Sequence, residues 1–129
     1  TLYIRNIVEY CSVVFHSRLT TADSDKLERI QKTCLRVILG EMYISYNAAL
    51  EMTGLQTLES RRTQRCLDFS LKCLKHPRNS RLFPVNSRIH GQNERPRELF
   101  DVNWAGTEKY RHSAIPYCQR LVNQHFSTK

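Results

Sequence analysis

The stretch LERIQKTCLRVILG, Leu27 to Gly40, constrains the fold of this chain more than any other segment. Leu27, Ile30, Cys34, Leu35 and Ile38 recur at the spacing that gathers apolar side chains on one side of an α-helix. The pattern predicts a helix from about Ala22 to Leu39, with Thr21 or Asp23 accepting hydrogen bonds from its first free amides. Gly40 ends it, because glycine takes the left-handed conformation that closes a helix without a Cβ clash. Asp25 with Arg29 and Glu28 with Lys32 stand four residues apart in the order that favours ion pairing.

The same punctuation recurs downstream. Ser45 is placed to cap a short helix through Ala48, Leu50 and Met52 to Thr53, with Gly54 as its stop and Leu55 turned back onto the core. Thr57 begins a longer helix, Leu58 to Lys75, whose Leu58, Cys66, Phe69, Leu71, Cys73 and Leu74 form a broad apolar surface, and His76-Pro77 closes it. Upstream, Ile4, Ile7, Val8, Cys11, Val14 and Phe15 repeat at helical spacing, which predicts a helix from about Leu2 to His16, with a strand as the lesser alternative.

The segment Arg78 to His112 holds Pro84, Gly91, Pro96 and Gly106. It reads as a helical turn near Arg81, a mobile loop from about Val85 to Pro96, and an extended stretch. Ser113 then caps a last helix, Ala114 to about His125, with Pro116 tolerated in its first turn and Ile115, Cys118, Leu121 and Val122 facing inward. The expectation is an all-α fold, a small bundle of four to five helices packed around Ile7, Cys11, Leu27, Ile30, Cys34, Leu58, Cys66, Phe69 and Cys73, with an irregular, loop-rich C-terminal arm. Residues 1–77 would form the bundle, 78–112 a basic loop-rich segment, and 113–129 a helix packed on the same single domain.

Charge sets the class of partner. Lys and Arg number 20 against 12 Asp and Glu, a formal net charge of +8, which favours a polyanion such as nucleic acid. No apolar run approaches the ~20 residues that span a bilayer. Cys11, Cys34, Cys66, Cys73 and Cys118 are odd in number and show no CxxC, so reduced, buried thiols in an intracellular protein, nuclear or cytoplasmic, fit best. The chain begins at Thr1 without an initiator Met or apolar leader and reads as a piece of something longer.

On the helix Leu58 to Lys75, the residues Arg61, Arg65, Lys72 and Lys75 form a row at intervals of four, seven and three, interrupted by Asp68. Such a row can follow phosphates along a duplex, and Lys26 and Arg36 on the preceding long helix are secondary candidates. Arg78, Arg81, Arg88, Arg95 and Arg97, interleaved with Phe83 and Phe100, suit single-stranded RNA through charge and base stacking. The spacing of Cys66, Cys73 and His76, or of His112, Cys118 and His125, matches no structural zinc pattern. No phosphate loop, nucleophile elbow or metal-binding carboxylate pair is present, so no catalytic residue and no cofactor is assigned to this chain.

Four segments in order, IRNIVEYCSVVFHS, LTTADSDKLERIQKTCLRVILG, SYNAALEMTGLQTLESRR and EKYRHSAIPYCQRLVN, resemble the region that follows the polymerase palm in reverse transcriptases of non-LTR, jockey-like and CR1-like retrotransposons. Phe15 stands where that family commonly has Trp, and Thr33-Cys34 where a basic residue and Ala are usual. The resemblance implies a thumb and C-terminal portion of an RNA-directed DNA polymerase. Its catalytic aspartates and their Mg would belong to an absent palm domain, since no x-Asp-Asp motif occurs here. Its partners would be RNA or an RNA-DNA duplex and the palm itself, with no small-molecule substrate. An alternative reading is a protein-interaction module, in which the apolar face of Leu58 to Lys75 docks on a palm domain or a partner helix.

Overall fold

A computed structural model describes residues 2–84, 100, 102 and 105–127, without the side chains of residues 2 and 80. As the sequence predicts, the protein is all-α, with no strand among the described residues. Its helices are α1 (Leu2–Val8), α2 (Ser12–Phe15), α3 (Thr21–Leu39), α4 (Tyr46–Thr53), α5 (Leu58–Lys75), α6 (Glu108–Arg111) and α7 (Ala114–Ser127). Short 3-10 turns occupy His16–Arg18, Gly40–Met42 and Pro77–Leu82. The chain divides into two compact units, Thr1–Arg65 and Cys66–Lys129, and the division falls inside α5.

In the first unit the helix boundaries follow local chemistry. The cap of α3 is Thr20, one residue earlier than predicted: its hydroxyl oxygen accepts from the Asp23 amide at 3.2 Å and its proton goes to the Asp23 carboxylate at 2.7 Å. Gly40 closes α3 at φ 53°. Ser45 caps α4 by accepting from the Ala48 amide at 3.2 Å, and Gly54 closes it at φ 64°, after which the Leu55 amide reaches back to the Leu50 carbonyl at 2.9 Å. This seats Leu55 against Leu35, Ala49 and Leu50, the small apolar core of this unit.

The N-terminal segment departs from expectation. The predicted helix from Leu2 to His16 is broken at Cys11, which takes a left-handed φ of 52°. Around the break the polar residues Arg5, Glu9 and Ser12 are buried, whereas Ile7 is 73% exposed and Cys11 is also exposed. On α3 the buried positions are Gln31 and Leu35, and Ile30 is 42% exposed. Ile7, Cys11 and Ile30 are therefore not core residues. Hydrophobic periodicity located the helices, but hydrogen bonds of Arg5, Glu9 and Gln31 decide which side faces inward.

The second unit has a conventional apolar interior: Cys66, Cys73, Phe83, Phe100, Cys118 and Val122 are all buried. Phe83 and Phe100 meet edge to face, centroids 5.9 Å apart. The Asn123 side chain on α7 clamps Phe100 from both sides of its peptide, accepting from its N–H at 2.9 Å and donating to its carbonyl at 3.0 Å. Gln119 donates to the Leu82 carbonyl at 2.7 Å. Phe69, placed in the core by its spacing, is 46% exposed. α6, capped by Thr107 through the Tyr110 amide, replaces part of the predicted extended stretch. The predicted loop from Val85 to Pro96 lies outside the described residues.

Candidate nucleic-acid interface

The residues of the predicted row on α5 have different local surroundings. Glu9, with no exposed side-chain area, faces the Nε of Arg61 at 2.8 Å and the Nη2 of Arg65 at 3.1 Å, and Arg65 also donates to the Glu9 carbonyl at 3.4 Å. Arg61 and Arg65 keep only 35% and 38% of their side-chain area exposed. Two guanidinium groups thus share one buried carboxylate. A carboxylate held this way fixes both arginines in the fold and cancels about half of their combined charge. Lys72 and Lys75 belong to the second unit, and both are exposed.

Arg5 extends the same interior network. Its Nε donates to Gln31 at 3.0 Å and its Nη2 to the Gln56 carbonyl at 2.7 Å. Burial, with Arg61 nearby, pulls the Arg5 guanidinium below its ordinary value, while Glu9 acts in the opposite direction. Gln31 in turn donates to the Tyr46 hydroxyl at 2.9 Å and to the Gln56 carbonyl at 3.1 Å. Arg62 is fully buried and donates to the Ser24 hydroxyl at 2.9 Å.

Of the two secondary candidates, Lys26 pairs with Asp23 at 3.0 Å on an exposed turn of α3. Arg36 sits over the Tyr43 ring, 5.3 Å from its centroid, and makes no ion pair among the described residues. Phe83 and Phe100 are buried against each other and are not exposed for base stacking, contrary to the pattern read from their arginine neighbours. Arg88, Arg95 and Arg97 lie outside the described residues.

Solvated cations recur at the end of α5 and in the turn after it: Lys72, Lys75, Arg78 and Arg81 are all exposed. The intervals are three residues throughout, and none of the four is in an ion pair among the described residues. Pro77 after His76 stops α5 and lets the 3-10 turn carry the run onward. In the sequence these residues fall into a helical row, Lys72 and Lys75, and a loop cluster, Arg78 and Arg81. The recurring interval of three across the helix end was the signal that joins them.

Among the described residues no group of three or more His, Cys, Asp or Glu is arranged to hold a metal ion, and no helix is long and apolar enough to cross a membrane. The five cysteines are free thiols, three of them buried, and burial pushes the Cys118 thiol upward, away from the reactive thiolate. Comparisons of the chain with protein families, with curated proteins and with solved structures find no match.

Proposed function

We propose that this protein is a non-catalytic C-terminal portion of a retrotransposon reverse transcriptase that holds the phosphates of template and primer. The run Lys72, Lys75, Arg78 and Arg81 carries the reading, because four exposed cations at even intervals stand without a carboxylate partner among the described residues. The order of the four resembling segments and the formal charge of +8 support it. Arg61 and Arg65 take a structural role in this proposal, with Glu9 as their counter-ion.

Binding to RNA or an RNA-DNA duplex should weaken steeply as salt rises, since each neutralised phosphate releases condensed counterions. The test is fluorescence anisotropy across a salt series with the wild type and a Lys72→Gln, Lys75→Gln, Arg78→Gln, Arg81→Gln variant. The expected result is a shallower slope for the variant. Identical slopes would remove the run from the mechanism.

A second reading, docking on the palm of the parent polymerase, is favoured by apolar residues left in solvent. Tyr3, Ile7, Tyr10, Val37 and Ile44 are each more than two-thirds exposed, and Ile4, Val8, Ile30 and Cys34 line a shallow groove between α1 and α3. Such exposure marks interaction surfaces. On this reading a palm fragment supplied in trans protects these residues from hydrogen exchange; unchanged protection removes it.

A further inference from the structure

We infer that one side of α3, from Arg29 to Arg36, is a second phosphate-binding face, in which Arg29, Lys32 and Arg36 take the backbone of a nucleic-acid strand. The inference deepens the nucleic-acid reading and rests on it, but it uses residues of the other compact unit.

Three observations carry it. First, the three side chains share one side of α3. At 3.6 residues per turn their positions fall within about 60° of arc, and at 1.5 Å per residue they cover about 10.5 Å of helix. That length matches about three phosphates of a helical strand at 3.4 Å each. All three residues are exposed.

Second, the carboxylates expected to neutralise them do not. Glu28, which the sequence pairs with Lys32, accepts from the Tyr46 hydroxyl and from the Leu58 amide at 3.1 Å, capping the start of α5. Asp25 lies one turn before Arg29 on the same side of the helix, yet forms no ion pair with it among the described residues. Glu28 is therefore withdrawn from this face, and Asp25, the carboxylate that remains on it, is not paired with any of the three cations, so the face keeps a net positive charge.

Third, two of the cations are held in place by aromatic rings. The Lys32 ammonium lies 5.0 Å from the centroid of Tyr46, and the Arg36 guanidinium 5.3 Å from that of Tyr43. A ring orients a cation without cancelling its charge. Both tyrosines pack against the Leu35, Ala49 and Leu50 core, so the side chains above them rest on a fixed base. Pre-placed cations lose less freedom on binding.

The test uses the full chain with a single-stranded RNA and an RNA duplex of equal length, measured by anisotropy over a salt series. An Arg29→Gln, Lys32→Gln, Arg36→Gln variant is expected to lose about tenfold in affinity. Its salt slope on the single strand should fall by about 2, at about 0.7 per phosphate contact. An Arg29→Lys, Arg36→Lys variant keeps the slope, which separates charge loss from misfolding. Tyr43→Leu keeps every charge and is expected to weaken binding several-fold at unchanged slope. If the triple variant binds like wild type while the variant of Lys72, Lys75, Arg78 and Arg81 loses its slope, the α3 face is refuted and the proposed function stands. If the reverse holds, the α3 face stands and the run after α5 is discarded. If neither variant changes, both fall. Loss of polyglutamate binding but not of RNA binding in the triple variant would also overturn the inference, assigning the face to an acidic polypeptide.

Discussion

The two compact units bury different kinds of side chain. The interior of Thr1–Arg65 holds Arg5, Glu9, Ser12, Gln31 and Arg62 around a small apolar cluster, whereas that of Cys66–Lys129 is built on Phe83, Phe100, Val122 and three cysteines, with Asn123 and Gln119 tying backbone to side chain. The same residue type therefore means different things in each. An arginine in the first unit is often part of the architecture; Arg78 and Arg81, in the turn after α5, are surface charge. Counting cations along a helix cannot separate the two, and a buried counter-ion such as Glu9 can.

The sharpest way to break this contrast is Glu9→Gln. It leaves Arg61 and Arg65, both partly exposed, facing a neutral amide, and losing their charge-assisted bonds to the buried carboxylate costs about 1.5–3 kcal/mol. Urea denaturation of the variant against an exposed control, Glu108→Gln, measures it. A loss no larger than the control's would mean that the polar interior is incidental. In the second unit, Asn123→Ala strips the Phe100 peptide of both partners at a buried position, for about 1–3 kcal/mol. Hydrogen exchange should place this loss among residues 66–127 and leave protection of α3 and α4 intact; loss spread over both units would erase the division. A smaller effect, about 1 kcal/mol, is expected from Thr20→Ala, which removes the cap of α3, read as increased exchange in its first turn.

These contrasts explain what was legible in the sequence. Ser45, Gly54, Thr57 and Pro77 marked element ends because capping and φ preferences are local, and the structure places helix ends at those residues. The helix Ala114 to His125 was legible for the same reason. The inward faces of α1 and α3 were not legible: Ile7 and Ile30 have core-like spacing, yet Glu9 meets Arg61 across 52 positions and Arg5 meets Gln56 across 51. Pairings at such separation leave no periodic trace. For the candidate interface, Lys72 and Lys75 were legible as exposed cations, whereas the freedom of Lys32 depended on Glu28 turning to the Leu58 amide 30 residues away. Local pairing rules misassigned that carboxylate.

His16 provides the finest test of the contrast, because it titrates inside the polar unit. Burial lowers its pKa below the ordinary 6.5, Arg62 lowers it further, and Glu59 opposes both; its Nε2 meets the Thr63 hydroxyl at 3.3 Å. Between the depressed folded value and 6.5 the unfolded chain binds more protons than the folded one, so stability rises with pH across that window. The contribution is complete above about pH 6.5 and fades as pH falls through the folded pKa. Glutamine at this position retains a polar group but cannot titrate. The first unit of His16→Gln should therefore show less stability loss between pH 7 and pH 5.5 than wild type, while exchange rates in α7, corrected for intrinsic pH effects, should be the same in both. Equal acid sensitivity of the first unit in the two proteins would move the pH response from His16 to the carboxylates.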